Sequence, residues 1–190
     1  MFKGTSASAG IGIGKAVIVE EAELVITRNE VADAEAEIQR FKGALEKTIA
    51  ATQKMADDLA SRVGEKEAEI MQGHMMLLSD PMLTGEIENS VKNDKVNSEF
   101  AIENVCNMYA DMFASMGDEL MQQRATDMRD IKVRMQRTLM GLESVDVSLL
   151  PKGSILVAKD LTPSMTAGIN PENVSGIVTE LGGKTSHSAI

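Results

Sequence analysis

Residues 29–144 carry helical periodicity without interruption by any strand-like run, while short β-branched runs stand on both sides of them. This order constrains the fold more than any other feature of the chain. Ile38, Phe41, Leu45, Ile49, Ala56, Leu59 and Val63 recur at threes and fours, with a skipped turn at Thr52, which is the seam of a long bundle helix. Asn29 followed by Glu30 predicts a cap and a helix start near residue 30, and Gly64 a stop or bend. KEAEIMQGHMMLL, residues 66 to 78, predicts a second helix interrupted at Gly73, and Asp80-Pro81 opens a third that reaches about Val91. Ser98 is read as the cap of a fourth, with Ile102, Val105, Tyr109, Met112 and Met116 in helical register up to Gly117. Asp118 caps a fifth, with Met121, Ala125, Met128, Ile131, Met135 and Leu139 on one stripe ending at Gly141. Four or five antiparallel helices with short connections make a bundle. Aromatic content of 3% against 14 Met requires a core of aliphatic and thioether side chains.

The flanking segments read differently. Ala16 to Val19 has the continuous apolar character of a buried strand, and Ser154 to Leu161 and Asn173 to Leu181 each hold a compact β-branched run bounded by Pro or Gly. Between the last two, TPSMTAGI (162 to 169) suits a short capped helix, giving a βαβ pattern. The expected architecture is α+β and two-lobed. A small α/β domain is made from residues 1–28 and 145–190, and a helical domain, 29–144, is inserted between them.

Charge narrows the function classes. With 29 acidic and 19 basic side chains the net charge is -10, which disfavours nucleic acid as a partner. Residues 29–144 hold 22 of the acids and 13 of the bases. This is either a solvated bundle exterior or a surface suited to a cationic protein. The single Cys106 excludes an internal disulfide framework and a multi-cysteine zinc site, and with two histidines no metal site is expected. Cys106, beside Val105 and Tyr109, is expected to pack in the core. No apolar run of 18 residues occurs and the amino-terminal segment lacks a signal-peptide core, so membrane insertion and secretion are disfavoured and a reduced, cytoplasmic setting is expected.

The last ten residues, LGGKTSHSAI, hold the strongest local signal. A strand, a Gly182-Gly183 turn and a helix start form a natural anion site, because glycines admit close backbone approach and the first helical amides have no acceptors. An imidazole at His187 could act as nucleophile and hold a phosphoryl group, with Lys184, Thr185 and Ser186 on its oxygens. Which ring nitrogen reacts is left open. On the residues alone, a helix-capping or loop histidine stands beside this reading.

GGKTSHSAI resembles the phosphohistidine signature of enzymes that use phosphoenolpyruvate, among them enzyme I of the phosphoenolpyruvate:sugar phosphotransferase system, pyruvate phosphate dikinase and phosphoenolpyruvate synthase. GTSASAGIGIGKA (Gly4 to Ala16), GHMMLLSDPML (Gly73 to Leu83), RATDMRDIKVRM (Arg124 to Met135) and ILVAKDLTPSMTA (Ile155 to Ala167) resemble the enzyme I family in order and spacing. The other two families place a nucleotide-binding domain ahead of the histidine domain. The resemblance implies that residues 1–28 and 145–190 form a truncated swivelling phosphohistidine domain. It implies that His187 takes the phosphoryl group from phosphoenolpyruvate and passes it to the phosphocarrier protein HPr, with Thr166 as hydroxyl partner of the histidine. Lys184 replaces an arginine common in that family, which keeps the charge and loses the bidentate fork.

The resemblance further makes the bundle the docking platform for HPr, whose own histidine lies in basic surroundings. The contacts fall on Glu65, Met76, Leu77, Leu83 and Arg124, with His74, Asp80, Met82 and Phe113 as neighbours. Phosphoenolpyruvate, Mg²⁺ and homodimerisation belong, by the same resemblance, to a barrel beyond Ile190, so this chain alone is not expected to autophosphorylate or to hold a cofactor. The alternative is a protein-binding helical module without catalytic competence. Four adjacent apolar residues, Met75 to Leu78, cannot all face inward on one helix, so one or two should be exposed. His74 is expected at the surface or interface and is given no chemical role.

Overall fold

The computed structural model describes residues 4–181. The chain forms two compact units, one from Glu23–Ser144 and one assembled from Met1–Ala22 with Val145–Ile190.

The first unit is all helical: α1 (Ala34–Arg62), α2 (Glu65–Leu78), α3 (Pro81–Asp94), α4 (Ser98–Ser115) and α5 (Glu119–Met140). Asp80 Oδ1 accepts from Met82 N–H at 2.8 Å ahead of Pro81 at the first helical position. Asp118 Oδ1 accepts from Met121 N–H at 2.9 Å, and α5 closes on Gly141 in the left-handed conformation, φ 66°. These are the caps that the residue types specify. Two expected starts are corrected. α1 is capped by Asp33, not Asn29, because residues 29–31 are drawn into an antiparallel bridge with 95–97: Val31 N–H donates to Lys95 O at 2.9 Å and Asn97 N–H to Asn29 O at 3.0 Å. α4 is capped at Asn97, one residue before Ser98. The Ser98 N–H, which has no acceptor within the helix, donates to Glu37 Oε1 at 2.7 Å.

Phe41, Leu78, Leu83, Ile87, Ile102, Cys106, Ile131 and Met135 fill the centre of this unit. Each large apolar side chain removed from water contributes roughly 1.5–3 kcal/mol. Val63, expected on the seam, stands outside it as the exposed cap residue of α1. Thr52, the skipped turn, is buried: it donates to Thr48 O at 2.7 Å and accepts from Arg134 Nη2 at 2.6 Å. A polar strip therefore joins α1 to α5 inside the bundle. A second links α4 to α5. Glu103 accepts from Gln136 Nε2 at 2.8 Å, Lys132 Nζ at 2.9 Å and Asn107 Nδ2 at 2.9 Å. Burial alone would raise the Glu103 carboxyl, but these donors together hold it below the usual range.

The second unit holds β1 (Lys15–Val19), β2 (Ser154–Ala158), α6 (Pro163–Gly168) and β3 (Val174–Thr179). The sheet is parallel in the order β1-β2-β3, with Val17 opposite Leu156 and Leu156 opposite Ile177. A parallel neighbour needs a crossover, and α6 supplies it between β2 and β3. Val19, Val147, Leu150, Leu156, Ala158 and Leu161 form its core. The chain is thus helix-rich with a small three-stranded parallel sheet, as expected at that level. Gly14 permits the approach to β2, since a side chain there would drive into the carbonyl oxygen of Gly153, which accepts from Lys15 N–H at 3.0 Å.

Candidate functional site

The predicted site residues fall in two places, one in each unit. In the sheet unit, the carboxyl ends of β2 and β3 lie on one edge because the strands are parallel, and ligands of α/β sheets bind outside that edge. β2 leads through 159–162 into α6. Thr162 caps α6, its hydroxyl accepting from Met165 N–H at 3.3 Å. Thr166, half-buried in α6, donates its hydroxyl proton to Thr162 O at 3.1 Å. Its lone pairs are left to accept. Past β3 the pairing continues, with Glu180 N–H to Ala158 O at 3.1 Å and Leu181 N–H to Lys159 O at 2.8 Å. This carries the described chain as far as Leu181 beside β2. Lys184 and His187 lie outside the described residues.

In the helical unit the expected contacts cluster on α2, α3 and the start of α5. Met75 and Leu77 are half-buried, Leu78 is buried and Met76 is 73% exposed, so one of the four adjacent apolar residues is presented outward. Glu65 is exposed at the first position of α2, where a carboxylate suits the positive helix end. Met82 is exposed at the start of α3. Leu83 requires a correction, because at 1% exposure it belongs to the bundle core and supports the face from below. Phe113 is half-buried and packs tilted against Tyr109, ring centroids 6.3 Å apart. Burial, and then the charges of Glu86 and Asp80, push the Tyr109 hydroxyl up from its ordinary range.

His74 also departs from expectation. It is fully buried, with Nε2 3.3 Å from Asp127 Oδ1 and Nδ1 3.9 Å from Asp130 Oδ2, at ion-pair distance without hydrogen-bond alignment. Asp127 reaches on through Oδ2 to Arg124 Nη1 at 3.6 Å. Arg124 is one-third exposed and lies over Gly73. Gly73, expected to interrupt the second helix, requires a correction, because α2 runs through it unbroken; Asp127 and Asp130 were not singled out from sequence. The available signal was a pair of acids three apart on α5 interleaved with the buried stripe residues Met128 and Ile131, a spacing that puts charge where only a partner makes it tolerable.

Among the described residues no group of three or more His, Cys, Asp or Glu is placed to hold a metal ion. No helix there is long and apolar enough to cross a membrane.

Comparison with known proteins agrees with these elements. The family profile described as PEP-utilising enzyme, N-terminal, matches residues 3–124, and that described as PEP-utilising enzyme, mobile domain, matches residues 150–190. The chain belongs to the PEP-utilising enzymes. More narrowly, it is 42% identical over its whole length to the phosphoenolpyruvate-protein phosphotransferase of Listeria monocytogenes and 40% identical to that of Bacillus subtilis, covering 33% of each. The chain therefore spans about a third of the length of these relatives. Among solved structures, an NMR solution structure of an enzyme I (nEIt) matches with TM-score 0.87 at 38% identity, over 100% of this chain and 77% of that one. The N-terminal domain of Enzyme 1 - Nitrogen matches with TM-score 0.68 at 25% identity, over 96% of this chain and 75% of that one.

Proposed function

We propose that the chain is the amino-terminal part of a cytoplasmic phosphoenolpyruvate-protein phosphotransferase, with residues 23–144 docking the phosphocarrier HPr and the sheet unit carrying the acceptor His187. The reading is supported above all by a likeness to enzymes of that name that runs through both units at once, at 40–42% identity over the whole chain.

In this reading a lone pair on the His187 ring forms an N–P bond as the P–O bond to the enol oxygen of phosphoenolpyruvate breaks, and the enol carries the electron pair away. A histidine nitrogen of HPr then attacks the same phosphorus and the bond to His187 breaks. Thr166 has its proton engaged by Thr162 O, so its oxygen serves as acceptor. A ring nitrogen facing it keeps its N–H, which leaves the opposite nitrogen with the lone pair and fixes the tautomer. Lys184 supplies positive charge to the phosphoryl oxygens. Phosphoenolpyruvate, magnesium and dimerisation are assigned to the remainder of the full-length enzyme, and no step here runs through the metal.

Docking follows from the face on α2, α3 and α5. Exposed Met76 and Met82 give adaptable apolar contact. Glu65, Asp80 and Glu86 steer a partner with basic surroundings, and Arg124 offers a fork to an acceptor on it. Titrating the chain with HPr and following backbone chemical shifts tests this: residues 65–83 and 124 should shift, and an unperturbed spectrum there with changes elsewhere refutes the assignment.

A further inference from the structure

Arg124 is held in place before any partner arrives. Its Nη1 lies 3.6 Å from Asp127 Oδ2, and the other oxygen of that carboxylate lies 3.3 Å from the buried His74 ring, whose far side faces Asp130. The imidazole is flanked by acids on both sides and sealed from water. The buried ring packs beside Asp127 and confines its carboxylate, whose Oδ2 lies at ion-pair distance from the guanidinium. The remaining wall of the seat is a missing side chain. A Cβ on Gly73 would come within 2.5 Å of Arg124 Nη1, with the rest of the guanidinium beyond it.

Glycine in the middle of a helix is a local weakness. α2 runs through Gly73 without a break, so the chain accepts that weakness where an alanine would displace the fork. The obstruction would be to the far end of a flexible side chain and not to the backbone, so the fold itself could accommodate alanine.

We infer that Gly73 and His74 are positioning residues for Arg124, forming with Asp127 a preformed seat that holds the guanidinium at a fixed place on the docking face. The inference rests on the docking reading above. A preformed charged fork has less conformational freedom to lose on binding, and so favours the complex. The seat's occupant in the complex is an oxygen acceptor on the phosphocarrier, reached by the guanidinium N–H groups that Asp127 does not use.

Gly73→Ala separates this role from a structural one. The variant should melt at the same temperature as wild type or higher, since alanine favours the helix. Its Kd for HPr should rise about tenfold, as expected for losing one charge-assisted hydrogen bond. In an Arg124→Ala background the same change should cost nothing further. Wild-type affinity for Gly73→Ala while Arg124→Ala binds weakly, or fully additive losses, overturns the inference. If Arg124→Ala binds HPr as wild type does, the docking role of Arg124 fails instead. The seat is then decided in the free protein by the ¹⁵N resonance of Arg124 Nε: Gly73→Ala and Asp127→Asn should each move it, and an unmoved resonance in both refutes the seat.

Discussion

Glu103→Ala tests how the bundle joins α4 to α5. Glu103 gathers three donors, of which Gln136 is almost wholly buried while Lys132 and Asn107 reach solvent. On truncation Lys132 and Asn107 rehydrate, and each lost contact costs about 0–1 kcal/mol. Gln136 keeps its bond to Glu99 O at 3.1 Å but leaves one buried N–H unpaired, at about 1–3 kcal/mol. Together these span ~1–5 kcal/mol, and the midpoint, about 3 kcal/mol, is a fall in melting temperature of roughly 10 °C for a unit of this size. Sign follows from the carboxyl being held low in the fold: its stabilisation is present above the unfolded value near 4.5 and is lost as pH falls through the folded value. Thermal melts of wild type and variant by circular dichroism at pH 7, 5, 4 and 3 should therefore show a gap widest at pH 7 and narrowing below 4.5. An unchanged melt at pH 7, or a gap constant across the series, refutes the reasoning.

Three further outcomes follow. Burial pushes the Cys106 thiol up to about 12, so native protein should resist iodoacetamide at pH 8 and react only on unfolding. Because the unfolded thiol ionises first, stability from this group should fall as pH rises from about 9 toward 12, and labelling at the rate of a free thiol contradicts the burial. Gly14→Ala sets a side chain against Gly153 O and should cost roughly 1–3 kcal/mol, read as lost hydrogen-exchange protection over Lys15–Val19. Protection equal to wild type rejects the close approach. In the full-length enzyme Thr166→Val should slow phosphorylation while Thr166→Ser restores it, since serine supplies the same acceptor oxygen; equal rates for valine and wild type remove Thr166 from the site.

Legibility in the sequence followed the range of the interaction. Asp80-Pro81, Asp118 and Gly141 act on their own turns and were readable from residue type, as was the βαβ return from β2 to β3. Asn29 and Ser98 looked like caps and were not, because each is engaged across the bundle, by residues 95–97 and by Glu37 respectively. His74 carries no periodic signature that distinguishes a buried imidazole between two carboxylates from a surface residue, and those carboxylates, on Asp127 and Asp130, lie more than fifty positions away. Leu83 belonged to a motif that suggested contact, yet its place one turn into α3 points it at the core. The proposed acceptor, His187, was legible only as part of a string, GGKTSHSAI, and lies outside the described residues.

The most direct test of the whole account is to expose the full-length enzyme to ³²P-labelled phosphoenolpyruvate and locate the label by acid-labile phosphopeptide mapping. The account predicts phosphorus on His187, discharged by HPr and absent from His187→Ala. Undiminished labelling of that variant, with transfer to HPr intact, would contradict it.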